Sequence, residues 1–349
     1  MSAASGTSNP EYVVARVRAR KAQLFDDDDY RKLVRMGPAE IARQMEESVY
    51  EDEINALGAR HAGVDLIEYA LNRDLAGQFE DILRWAGGRL YDLVARYLRK
   101  FDAWNLKTVI RGIYSDTDRD TVEADLIRAG ELADRLVDTL LDATSVEEAV
   151  VALEGTRYGD PLAAAFDDYE ESGVLVPLEN AVDRAYYDQL LEDLAVDETT
   201  AVYREFLTAE IDFRNARNAL RLAGSGAGVD PADYFIEGGR LFSASELSTL
   251  AGSREELVAR IRSSTYGDEL DEALDALAES ESLIGFERAL DAALGSYADQ
   301  LGFVNPLSVT PVVSFIIAKE REVDNIRAIA RGREAGLGPE RIESELVVL

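Results

Sequence analysis

Asp102-Ala-Trp-Asn105-Leu-Lys107, Asp212-Phe-Arg-Asn215-Ala-Arg217 and Glu322-Val-Asp-Asn325-Ile-Arg327 read as one segment written three times. The asparagines stand 110 residues apart in both intervals, in a chain that has nine of them among 349 residues. Random placement would give both matches with odds of roughly one in a thousand or less. Two further blocks recur in the same order. One is Ser48-Val-Tyr50-Glu-Asp52, Thr156-Arg-Tyr158-Gly-Asp160 and Ser264-Thr-Tyr266-Gly-Asp268, whose tyrosines are 108 residues apart each time. The other is Ile67-Glu68 through Asn72, Leu178-Glu179 through Asp183, and Phe286-Glu287 through Asp291. Three blocks in one order predict a unit of about 110 residues present three times. The expected division is a loose tail at 1–9, then units at 10–116, 117–228 and 229–349.

The units read as helical. Alanine, leucine, glutamate and arginine dominate, strand-like alternation is scarce and prolines number eight. Asn9-Pro10 has the form of N-cap and N1 for a first helix running through Leu24. Helical periodicity recurs near 66–85, 89–111, 178–194, 199–222, 285–300 and 312–333. Met36-Gly37-Pro38 and the glycine-rich stretch Gly224 to Gly228 separate such segments. The latter follows a helix and lacks a closing Gly-Lys-Ser/Thr, so it reads as a linker and not a phosphate loop. The fold class expected is all-α, with three helical-bundle repeats. One irregularity stands out: Ile127-x-x-Gly130-x-Leu132 and Ile236-x-x-Gly239-x-Leu241 have no clean counterpart in the first unit.

On a helix, a carboxylate and an asparagine three residues later share a face. Asp102/Asn105, Asp212/Asn215 and Glu322/Asn325 are therefore expected to satisfy each other or nearby backbone inside a bundle. Tyr50, Asp52, Tyr158, Asp160, Tyr266, Asp268, Glu68, Glu179 and Glu287 are assigned to the same structural network. A paired-carboxylate acid/base site is the competing reading. It fares worse, because catalytic sites seldom occur three times in equivalent places of one chain. The cations after each asparagine form pairs four residues apart: Lys107/Arg111, Arg217/Arg221 and Arg327/Arg331. Either they neutralise the carbonyl ends of helices that Gly112 and Gly332 terminate, or they grip a partner as a ring of three. His61, between Gly58 and Gly63, reads as an exposed turn residue.

Composition removes many functions. There is no cysteine, hence no disulfide, thiol nucleophile or thiolate metal site. A single histidine excludes two-histidine zinc and di-iron sites. The net charge of −31, from 68 acidic and 37 basic residues, opposes nucleic-acid binding and adhesion to anionic lipid. Acidity spread over a whole chain suits concentrated salt, where the Debye length is ~3 Å or less. The run Asp26 to Asp29 reads as a solvated loop. No targeting segment is visible. Gln300 to Ala318 lacks charge but carries Pro306 and Pro311, so it reads as a buried or interface-facing connection and not a membrane span. No catalytic, cofactor or metal site is expected.

These residues resemble the C subunits of archaeal A-type ATP synthases, relatives of the d subunits of vacuolar ATPases. The resemblance rests on Tyr12-Val-Val-Ala15-Arg16-Val-Arg18, the three Asp/Glu-x-x-Asn-x-Lys/Arg helices and the closing segment Glu320 to Ile329, and it covers essentially residues 10–349. It implies a funnel of three homologous helical domains with pseudo-threefold symmetry. Such a funnel sits on the rotating proteolipid ring and receives the central stalk. It implies a non-catalytic coupling protein, peripheral on the cytoplasmic face of the membrane, with the ring, the D and F stalk proteins and the rest of the synthase as partners. The residues alone leave open a generic three-repeat helical scaffold and, more remotely, a helical hydrolase.

Overall fold

Seven helices carry the architecture of the computed structural model: α1 (Pro10–Lys21), α2 (Gly63–Trp85), α3 (Lys100–Tyr114), α4 (Val176–Leu191), α5 (Ala201–Ser225), α6 (Ile284–Val304) and α7 (Thr310–Glu334). The structure describes residues 7–192, 194, 197, 200–225, 231–250, 253–268, 270, 271, 274, 275, 284–344, 346 and 347. Short helices join the long ones, and no strand occurs among the described residues. The all-α expectation holds. The periodicity read as one helix over 89–111 is two, Gly88–Leu98 and α3, meeting at Arg99. Of the linker proposed at 224–228, Gly224 and Ser225 belong to α5, and 226–228 lie outside the described residues.

Local chemistry explains several boundaries and corrects three readings. Pro10 opens α1, but the Asn9 side chain does not cap that helix. It donates to the Trp85 carbonyl at 2.8 Å and accepts from the Gly87 N–H at 2.8 Å, tying off the end of α2. The acidic run is no loop. Asp26 accepts from the Asp29 N–H at 3.0 Å and Asp29 accepts from the Asp26 N–H at 3.3 Å, a capping box starting the helix Asp27–Leu33. Gly112 and Gly332 do not end their helices, which continue to Tyr114 and Glu334. They allow close approach: a Cβ on Gly112 would stand 2.4 Å from Val122, and one on Gly332 would stand 2.9 Å from Ile342.

Packing pairs the long helices in a set order. α3 lies on α4, α5 on α6, and α7 on α6, α2 and α1. Val13, Val14 and Val17 of α1, Ile67 and Leu71 of α2, and Val312, Phe315 and Ile316 of α7 share one buried core. Phe213, Leu220, Phe286 and Leu290 anchor a second core between α5 and α6. The last long helix is therefore built into the first part of the chain. Among the described residues, no helix is long and apolar enough to cross a membrane. The uncharged stretch 300–318 is divided in two: Val312, Val313, Phe315 and Ile316 are buried, while Phe303 and Val304 at its tip are 87% and 70% exposed.

Candidate functional site

The three asparagines act alike. Asn105 donates to the Ile127 carbonyl at 2.8 Å and accepts the Ile127 N–H at 2.9 Å. Asn215 makes the same two bonds to Ile236, at 2.8 and 2.9 Å. Asn325 makes them to Val347, both at 2.9 Å. A carboxamide carries one donor and one acceptor edge, so it can replace both partners of a backbone unit lying across the helix. The acid one turn earlier holds the following residues. Asp102 accepts from the N–H groups of Glu131 and Leu132 at 2.9 and 3.0 Å, and Asp212 from those of Arg240 and Leu241 at 2.6 and 2.7 Å. Gly130 and Gly239 permit this approach: a Cβ there would stand 1.9 and 2.3 Å from the carboxylate oxygen.

The missing Ile-x-x-Gly-x-Leu segment now has a physical account. On α7 its place is shared by the two ends of the chain. Val347 receives Asn325, and the Phe25 N–H donates to Glu322 at 2.5 Å. The longer glutamate also accepts from the Tyr50 hydroxyl at 2.6 Å and pairs with Lys319 at 2.8 Å. Lys319 is 1% exposed and forms an ion pair with Asp74 at 2.8 Å as well, so two carboxylates and a phenol surround one buried ammonium. The Tyr266 hydroxyl donates to Asp212 at 2.9 Å; the buried Tyr158 hydroxyl has no partner among the described residues. Burial pushes Asp102 up to about 6, against the pull of its two N–H donors. Asp52, Asp160 and Asp268 stand apart, exposed at the surface.

Neither the helix-end reading nor the axle-gripping reading of the basic pairs included their observed partners. Lys107 meets Asp183 at 2.5 Å and Arg111 meets Glu179 at 2.5 Å, joining α3 to α4. Arg217 pairs with Asp291, and Arg221 meets Glu287 at 2.5 and 2.7 Å, joining α5 to α6. Arg331 grips Glu68 through two nitrogens, and Arg327 donates to Asn72 at 2.8 Å, joining α7 to α2. Burial works to raise the Glu287 carboxyl, but the bond to Arg221 carries it below its ordinary value. Burial lowers Lys107, with Asp183 opposing. The signal was available in the sequence, since cations four apart on one helix face acids or amides four apart on another. His61 is only half-exposed and stacks edge-on against Tyr69, with ring centroids 4.6 Å apart.

α3, α5 and α7 also meet around one cavity of about 310 Å³. Equivalent positions line it in layers: Lys100, Glu210 and Glu320, five residues before each asparagine, and Trp104, Arg214 and Asp324, one before. Sequence reasoning gave none of these six a site role. Lys100 and Glu320 pair at 2.7 Å, yet burial holds Glu320 up at about 7. Among the described residues, no group of three or more histidines and carboxylates is arranged to hold a metal ion.

Three helices clamped in the same way, each clasped to a second helix by polar pairs, define an all-helical protein with a charged cavity where the clamped helices meet. The chain belongs to the ATP synthase (C/AC39) subunit family, whose profile matches residues 13–345. It is 71% identical over 345 residues to the C subunit of the A-type ATP synthase of Haloferax volcanii and 61% identical over 350 to that of Halobacterium salinarum, covering 99% of each chain in both cases. The same-named protein of Methanococcoides burtonii is 34% identical over 346 residues, 98% of this chain and 95% of its own. The acidic composition thus matches relatives from halophilic archaea.

Proposed function

We propose that the chain is the non-catalytic socket of a rotary A-type ATP synthase. It joins the membrane proteolipid ring to the central stalk, including the D and F stalk proteins, and transmits torque between ion translocation and ATP synthesis. The observation that carries this reading is the meeting of α3, α5 and α7 on one cavity, each braced by its own charged clasp. A rotor coupling needs such a braced hollow and no cofactor. We further propose three related units forming a funnel. These units are the repeats at 10–116, 117–228 and 229–349, with α7 of the third packing on α6 and also on α1 and α2 of the first. Within the complex the protein is peripheral, on the cytoplasmic face, reaching the membrane through the ring. The network residues hold the units together, and the basic pairs Lys107/Arg111, Arg217/Arg221 and Arg327/Arg331 brace the hollow and stay candidates for contact with the stalk.

The reading is tested by fractionation of native membranes. The protein should sediment with them in concentrated salt and leave at low ionic strength with nucleotide-binding subunits. Quantitative recovery in the soluble fraction at high salt would refute it. The isolated chain should show no ATP turnover.

A further inference from the structure

The turns that follow α2, α4 and α6 occupy equivalent places in the repeat, and the chain treats them differently. After α2, Trp85 lies under the guanidinium groups of Arg16 and Arg20, 4.8 and 4.4 Å from its ring centroid, and Ala86 is buried. After α4, Asp197 reaches Arg89, just past the first turn, at 2.5 Å. After α6, Phe303, Val304 and Leu307 stand bare, at 87%, 70% and 56% exposure. They lie in the uncharged stretch 300–318 of a chain whose residues are 30% charged. Two turns are thus closed by the protein's own cations and acids, so the repeat does not ask for bare hydrocarbon at the third. Nor is the third turn loose. The Asn305 N–H and the Thr310 hydroxyl both donate to the Leu301 carbonyl, at 3.0 and 3.2 Å, and the Ser308 hydroxyl donates to the Asn305 carbonyl at 2.8 Å. A cluster of apolar side chains displayed on a fixed turn marks a contact surface that needs little ordering on binding.

Along α6 the nearest residue lining the charged cavity is Leu294, about 15 Å of helical rise from Val304. On α7 it is Ile317, two turns in from Thr310. A partner seated in the cavity therefore leaves this tip uncovered. We propose that Phe303, Val304 and Leu307 form a foot that docks in an apolar recess at the cytoplasmic end of the proteolipid ring. The inference rests on the socket reading above, which gives the cavity to the stalk and requires a second surface for the ring. An uncharged apolar tip suits a proteolipid partner, while the net charge of −31 keeps the chain off anionic lipid. The contact also suits concentrated salt, where a Debye length of ~3 Å weakens exposed charge pairs and leaves apolar burial in force.

The test adds the recombinant full chain, in molar potassium chloride, to native membranes stripped of it at low ionic strength, and in parallel to protein-free vesicles of the extracted lipids. The triple variant Phe303→Ser, Val304→Ser, Leu307→Ser should bind the stripped membranes roughly a hundredfold or more weakly than wild type. Its melting temperature should match wild type, because the three side chains are already exposed, and its binding to recombinant, cognate D and F stalk proteins should be unchanged. Wild-type affinity of the variant for the membranes would overturn the foot and leave the socket reading intact. Equal binding of the wild type to lipid vesicles would make lipid the occupant and overturn the ring contact. Loss of stalk binding in the variant would put the tip on the stalk side, and a lower melting temperature would mark the residues as structural; either overturns the proposal. No binding of the wild type to stripped membranes would overturn the foot and the socket reading together.

Discussion

Asn105, Asn215 and Asn325 each satisfy both backbone groups of one distant residue, so alanine at any of them strands a carbonyl and an N–H. For Asn105 and Asn215, whose backbone bonds are buried, the expected loss is about 2–4 kcal/mol in urea unfolding at constant salt; a loss below about 1 kcal/mol would mean water replaces the amide. Glycines separate by contact. Gly130→Ala drives a methyl into Asp102 and should cost about 2 kcal/mol or more, whereas Gly77→Ala, with nothing within 4 Å of its Cβ, should gain about 0.5–1 kcal/mol. Asp102 at about 6 and Glu320 at about 7 bind protons more tightly folded than unfolded. Their contribution is complete below about pH 4 and lost as pH rises through about 6 to 7. Glu320→Gln should therefore melt progressively higher relative to wild type between about pH 5 and 8. A constant offset would reject that assignment. At this scale the asparagines were legible because an exact interval survives in the sequence. Their backbone partners were not, because side-chain-to-backbone bonds leave no mark on the partner's identity, and Ile127, Ile236 and Val347 read only as apolar.

Between elements, the clasps differ in exposure, which sets their strength. The Lys107 and Asp183 side chains are 15% and 27% exposed, whereas Arg221 is 57% exposed against Glu287 at 22%. Double-mutant cycles should give a coupling of about 0.2–1 kcal/mol for Arg221/Glu287, vanishing in molar salt, and a larger and more salt-resistant value for Lys107/Asp183. Equal salt sensitivity would count against the burial argument. Helix positions were read well from periodicity because apolar faces are long. The break at Arg99 was missed, as both helices keep an apolar face through it. The helix-end reading of the cations came from seeing each helix alone. Opposite charge at the same spacing on Glu179/Asp183 and Glu287/Asp291 was already present in the sequence, and Asn72 blurred the third case.

For the whole molecule, an excess of 31 negative charges sets the solvent it needs. The Debye length grows from ~3 Å at 1 M salt to ~30 Å at 0.01 M, so like charges across the surface repel in dilute buffer. Unfolding midpoints should rise with potassium chloride, checked by circular dichroism; equal midpoints in dilute and concentrated salt would exclude the effect. Helical class and family resemblance were legible from composition and repetition. The packing of α7 on α1 and α2 was not, since a repeat interval says nothing about which unit lies against which. The position of α7, packed on α1 and α2, has a consequence for biosynthesis. Residues 10–98 are translated well before the helix that covers Val13, Val17 and Ile67. At ~5–20 residues per second the intervening stretch takes tens of seconds to translate. Over that time the newborn amino-terminal helices lack their cover, and the core they share with α7 can close only once α7 has been made.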